Sequence, residues 1–321
     1  MKKWIVTVIM VAALMACSKN IKPDLTVESK ADGYLISENG QQVLFYRTQA
    51  EKPGGQHPGY ERDHYIHPLC DLDGLTITEN FPKDHLHHHG IFWAWHQLWV
   101  GDSLIGDSWE NKGWVWNVQG ADVSDCPEGK VLETHVLWES PLWQDGNGEM
   151  KPMIRETTFI TVHPSTPEYR IIDFDISLLA LEENMRIGGA DNEKEYSGFS
   201  ARIRLPEDIQ FNGETGLVEP LNTPVKGGAW IDMSGTLTDS KISGLTMMCH
   251  PDDPGFPQRW ILRKAKSMQN AVWPGREPQP LSTTEPVVLR YRLVIHKGGY
   301  DEKLTQELFK NYKNTGSKIK N

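Results

Sequence analysis

Within residues 170–178, apolar and polar side chains alternate from Ile172 onward. Ile172, Phe174, Ile176 and Leu178 fall on one face, and Asp173, Asp175 and Ser177 fall on the other. A period of two is the pattern of a half-buried strand. Segments 42–46, 114–118, 154–162 and 287–295 are rich in β-branched and aromatic residues and bounded by Gly, Pro, Asn or Asp, which predicts further strands. The apolar run 244–249 predicts another, with His250 at its end. Only 301–312 has helical spacing, carried by Leu304, Leu308 and Phe309. The 28 glycines and 20 prolines are spread through the chain, as many turns require. There is no internal repeat and no linker that would split the chain. The expected architecture is all-β: one large antiparallel β-sandwich over residues 33–321, with long loops and a short C-terminal helix.

The N-terminus reads as an export signal. Met1-Lys2-Lys3 is a short positive region, and Trp4 to Leu14 is an uncharged apolar run too short to span a bilayer. Leu14-Met15-Ala16-Cys17 has the form of a bacterial lipobox. Residues 1–16 are thus expected to be a lipoprotein signal peptide, with Cys17 lipidated and 17–32 a polar tether. Each buried acyl CH₂ adds roughly 0.8 kcal/mol of membrane affinity, so several acyl chains anchor stably. Ser18 is not an Asp-type retention signal, which favours the outer membrane, facing the periplasm or the exterior. Loss of Lys2 and Lys3 takes the formal charge from −10 to about −12, which disfavours nucleic acid and anionic lipid surfaces as partners. Cys70, Cys126 and Cys249 remain, an odd number without zinc-site spacing, so at most one disulfide can form.

The candidate chemistry is concentrated in one stretch. Asp84-His85-Leu86-His87-His88-His89-Gly90 places four imidazoles in five residues and runs directly into Ile91-Phe92-Trp93-Ala94-Trp95-His96. Histidine moves protons near neutral pH and is the commonest metal ligand. If the cluster is extended, His85, His87 and His89 share one face, and His85 and His87 could hold a divalent metal. Acid–base work without a metal, or a structural role in a turn after Pro82, are the other two readings. Trp93 and Trp95 share a strand face, suited either to core packing or to stacking on a sugar, and Trp109-Glu110 extends the patch. An acid-rich loop over 188–202 offers Glu195 as a base, with Tyr196 and Arg202 as substrate ligands. His250, at a strand end, is a third catalytic candidate, and Trp260 could wall the same cleft. There is no Gly-x-Ser-x-Gly elbow and no phosphate loop.

The set Asp84-His85-x-His87-His88-x-Gly90 with Trp93 and Trp95, then Tyr196-Ser197-Gly198-Phe199-x-x-Arg202, His250-Pro251, Trp260 and Tyr291-Arg292, resembles a family of secreted bacterial proteins. The family is usually labelled PmoA-like or left as a domain of unknown function. The resemblance runs from about Tyr34 to Tyr312. Its label implies a methane mono-oxygenase subunit, an integral membrane protein, which a chain without a spanning helix after its signal does not fit. The resemblance implies instead a sandwich of the galactose-mutarotase kind working in carbohydrate catabolism, with the three segments converging. Family members often carry Arg where this chain has His89, which favours His85, His87 and His88 as the working residues. The expected function is a membrane-anchored lipoprotein acting on a carbohydrate or oxidised sugar derivative as a lyase, epimerase or glycoside-cleaving enzyme. His87 or His88 would be one proton-transfer group and Glu195 or His250 the other, with Arg202 and Glu110 orienting the substrate. The alternative is a non-catalytic glycan-binding lipoprotein that relies on the tryptophans.

Overall fold

The computed structural model describes residues 24–52, 59–111, 113–238 and 241–319. The expected signal peptide and the lipidation site Cys17 lie outside the described residues. Among those residues, no helix is long and apolar enough to cross a membrane.

Two nine-stranded sheets, antiparallel throughout, dominate the fold. The first runs, in spatial order, Leu25–Lys30, Gly33–Glu38, Gln41–Arg47, Tyr65–Leu69, Ile91–Trp95, Ser197–Ala201, Gln269–Val272, Arg259–Ile261 and Val225–Lys226. The second runs Gly216–Leu217, Gln210–Gly213, Trp230–Thr238, Lys241–Cys249, Val287–Lys297, Tyr169–Ala180, Met150–Val162, Gly129–Gln144 and Val115–Cys126. A four-stranded sheet contains Met185–Gly188 and Gln97–Val100. The all-β sandwich read from the sequence is the observed fold, and every strand anticipated from the apolar pattern is present. Part of the stretch expected as a tether is a strand. Residues 25–30 are not a free linker but an edge strand paired along its length with Gly33–Glu38, and Leu25 is buried in the core.

The core lies between the two large sheets and is unusually aromatic. Trp93 stacks on Phe199 within the first sheet (6.0 Å, 9°), and Phe199 stacks on Tyr291 of the second (4.4 Å, 14°). Trp95 of the first sheet meets Trp138 of the second at 5.7 Å. Such pairs add roughly 0.5–1.5 kcal/mol each beyond the area they bury.

Ile172, Phe174, Ile176 and Leu178 face this core as the alternation predicted. Their polar counterparts are less exposed than a half-buried strand requires. Asp173 takes both oxygens of its carboxylate to Arg292, and Asp175 takes Arg290 and the backbone N–H of Lys318. The chain after the C-terminal helix folds back over this face and covers it. The helix itself, Glu302–Tyr312, starts at Asp301, whose side chain accepts the N–H of Leu304. Leu308 and Tyr312 seat it against Trp230, Met248 and Val294. Cys70, Cys126 and Cys249 are all free thiols.

A carboxylate sits deep in the core between the two large sheets. Glu156 is fully buried and accepts the indole N–H of Trp93 (3.0 Å), the indole N–H of Trp138 (2.9 Å) and the hydroxyl of Thr158 (2.6 Å). His64 Nε2 approaches it at 2.9 Å, off the hydrogen-bond axis. Burial pushes this carboxyl up, but His64, Thr158 and Trp93 more than offset it, so it sits below the usual carboxylate range. Replacing Glu156 with leucine strands these donors in apolar surroundings. The expected cost is about 3–5 kcal/mol, read as a lower urea midpoint with unchanged slope. A loss under about 1 kcal/mol, the worth of an ordinary hydrogen bond, would show that the donors find other acceptors.

Candidate functional site

The antiparallel pairing of two five-residue strands assembles the site. Ile91–Trp95 lies against Ser197–Ala201, with Ile91 opposite Ala201 and Trp95 opposite Ser197. At one end this brings the histidine segment beside Arg202, whose backbone N–H donates to Gly90 O at 2.7 Å. At the other end it brings His96 beside Tyr196. Side chains alternate along the strand. Trp93 and Trp95 enter the sandwich core, while Phe92 and Ala94 face outward into a second apolar cluster with Trp109 and Met268.

Over that outward face lies a cleft of about 250 Å³, lined by His85, His87, His88, His96, Trp109, Glu110, Ala190, Asn192, Lys194, Tyr196 and Ser267. One wall is the histidine segment. It is not extended: backbone bonds from His85 N–H to Pro82 O and from His88 N–H to His85 O fold it into consecutive turns. His85, His87 and His89 therefore do not share a strand face. The turns stack the His85 ring on His88 (4.5 Å, 2°) and set His87 edge-on to both, at 5.7 and 4.6 Å. A second wall is a stack of His96 on Trp109 (5.3 Å) and Trp109 on Tyr196 (5.4 Å). Buried Phe92 lies beneath both walls, 6.5 Å from His88 and 5.6 Å from Trp109.

Arg202 holds the histidine wall in place and does not face a substrate. Its guanidinium is buried, with Nε on Glu79 (2.7 Å), Nη2 on both oxygens of Asp84 (3.1 Å each) and Nη1 on His88 Nδ1 (3.2 Å). Each of its three nitrogens already has a partner, and Arg202 is not part of the cleft lining. His88 is driven strongly toward the neutral form, first by burial and then by His87, His85 and Arg202, with a pKa of about 2. Burial also lowers His87, whose Nδ1 lies 3.9 Å from Glu110. His89 takes no part in the cleft. It is sealed among Tyr65, Phe81 and Phe92, with Nδ1 on Asn80 Oδ1 at 2.9 Å.

Of the expected residues, the fold gathers His85, His87, His88, Glu110 and Tyr196. The Tyr196 hydroxyl accepts from Arg263 at 3.0 Å. Five other expectations are corrected. Trp93 and Trp95 are fully buried, so they have no face for a sugar. Trp260 is likewise in the core, its indole N–H on Gly228 O at 3.1 Å. Glu195 takes a left-handed backbone conformation (φ 57°), and its carboxylate is held by Arg259 outside the cleft lining. His250 belongs to a separate cluster under the C-terminal helix, with its ring on Arg290 (2.8 Å) and edge-on to Tyr312 (5.1 Å). The acid-rich loop does border the cleft, but through Asn192, Lys194 and Tyr196.

The sequence reading gave no role to His96 or Asp107. His96 Nδ1 lies 2.9 Å from Asp107 Oδ2, and Asp107 Oδ1 accepts the N–H groups of Trp109 and Glu110 at 2.9 Å each. An Asp two residues before an aromatic–acid pair, in a turn, was the available signal. Among the described residues, no three His, Cys, Asp or Glu side chains converge on one metal position. Two larger hollows, of about 420 and 280 Å³, hold none of the expected catalytic residues.

A family model described as a family of unknown function (DUF6807) matches residues 35–310. No curated protein matches the chain.

The neutrality of His88 has a pH consequence. An unfolded imidazole takes up a proton below about pH 6.5, whereas the folded ring refuses it down to about pH 2. The stability carried by the neutral ring is complete above pH 6.5 and is lost as pH falls toward 2, at up to about 1.4 kcal/mol per unit. Urea midpoints between pH 7 and pH 4 should therefore fall with acid. The fall should be shallower by one proton in His88→Phe. An unchanged slope in the variant would show that the folded ring protonates after all.

Proposed function

The chain belongs to the DUF6807 family of unknown function, and we propose that it is an acid–base enzyme acting on a single carbohydrate unit or an oxidised sugar derivative. The observation that carries this reading is the convergence of four imidazoles and one carboxylate on one small cleft beside a stacked aromatic wall. Sites for drug-sized ligands run to about 300–1,000 Å³. A cleft of about 250 Å³ suits one ring better than a chain. Asn192, Lys194 and Glu110 supply the mixed donors and acceptors that hydroxyl groups need. The resemblance to PmoA-like proteins read from the sequence, with the mutarotase-type sandwich it implies, points to the same class of substrate. In this reading the protein works in the cell envelope, held by acylated Cys17. The glycan-binding alternative relied on the tryptophans; Trp93 and Trp95 are buried in the core, and Trp109 is the tryptophan that lines the cleft.

The test is a screen of the protein against neutral monosaccharides, uronates and keto-sugars, reading binding and product together. Removal of one acid–base group lowers turnover by typically 10²–10⁴-fold. His88→Gln and His87→Gln should each show a loss in that range, with the fold intact by circular dichroism. Full turnover in both variants would remove the histidine wall from catalysis. Binding without turnover, unaltered in either variant, would restore the glycan-binding reading.

A further inference from the structure

The cleft holds histidines in two opposite tautomers, an observation that deepens the reading just given and rests on it. His96 has its Nδ1 on Asp107, and His85 has its Nδ1 on Asp84, each at 2.9 Å. Both carboxylates are themselves fixed. Asp107 accepts two backbone N–H groups, and Asp84 is gripped by Arg202 through both oxygens. A carboxylate only accepts, so each Nδ1 carries a hydrogen, and in the neutral ring each Nε2 keeps its lone pair. Neither Nε2 has a hydrogen-bond partner among the described residues, and both rings line the cleft. His88 is reversed. Its Nδ1 faces the Arg202 guanidinium, which only donates, so Nδ1 accepts and Nε2 carries the hydrogen. The cleft therefore offers two oriented bases, one on each wall, and one neutral N–H donor stacked against one of them.

We propose that His96 and His85 are a two-base pair that inverts a carbon bearing hydrogen beside a carbonyl, with His88 donating to the carbonyl oxygen. One Nε2 takes the proton from carbon. The C–H electron pair becomes a C=C bond, and the carbonyl π pair moves to oxygen, giving an enediolate held by His88 Nε2–H. The other imidazole, protonated at the start, returns a proton to the opposite face and restores the carbonyl. The carbon is inverted, and the two histidines exchange protonation states and reset through solvent. No oxidant, reductant or second substrate enters. A neutral imidazole suits the donor role, because it stabilises negative charge on oxygen without giving up its proton. Asp107 and Asp84 are positioning residues that hold each base in its working tautomer.

The first measurement needs no substrate. In ¹⁵N-histidine NMR spectra assigned with His→Gln variants, His85 and His96 should show the Nδ1–H form and His88 the Nε2–H form. Reversed tautomers at His96 or His88 would overturn the proposal. The second uses D-glucose, D-galactose, D-glucuronate, D-galacturonate and their keto derivatives in D₂O. Deuterium should enter the product at a single carbon. His96→Gln and His85→Gln should each lower inversion by about 10²-fold or more, and each should still exchange the C–H of one epimer only. Turnover without deuterium in the product, or full inversion in either variant, would overturn the two-base step and leave the broader acid–base reading standing. No binding and no turnover across the panel would remove both.

Discussion

The carboxylate of Glu156 is the constraint around which the sandwich is arranged. It lies on the second sheet and takes an indole N–H from each sheet, Trp93 on one side and Trp138 on the other. A buried charge of this kind is tolerable only when its donors are all in place, so it fixes where those donors stand. Once Trp93 must point inward, the rotation of the strand Ile91–Trp95 is decided. A slip of one residue would turn every side chain over. Phe92 and Ala94 are then committed to the outer face, and they form the floor over which the histidine turns and the Trp109 stack close. The position of the cleft thus follows from a polar contact in the core that the cleft never touches.

Arg202 plays the same part at smaller scale. Its three faces bind Glu79, Asp84 and His88, so a single side chain sets the shape of the turn, one carboxylate and one tautomer. The sequence pattern that suggested a substrate ligand is the pattern of a buried organiser. An arginine just past a strand end can serve either purpose, and only the surrounding carboxylates decide which.

This explains what was legible in the chain and what was not. Alternation in 170–178 and the β-branched runs identify strands because side-chain period is a local property. The same alternation predicts that Trp93 and Trp95 share a face but not which face is wet, since that depends on Glu156, some sixty positions away. The histidine segment reads equally well as a strand or as turns, and the bond from His85 N–H to Pro82 O decides for turns. Glu195 and His250 are sound candidates by residue type, yet Arg259 claims one and Arg290 the other. His96 was hidden for the opposite reason: its partner, Asp107, lies across the Gln97–Val100 and Ser103–Gly106 hairpin, and no local spacing joins them.

The three unpaired thiols carry a consequence for the lifetime of the folded chain. Disulfide exchange and peroxide attack both proceed through the thiolate. Cys70 and Cys249 are closed off from solvent, and burial pushes both thiols up, Cys249 far up. Cys126 is only partly covered, yet burial and then the carboxylate of Glu128 raise it as well. Among the described residues, completed folding therefore lowers the thiolate content of all three cysteines without forming a crosslink. The vulnerable interval is the one before the sheets close, when three ordinary cysteines are in the open together.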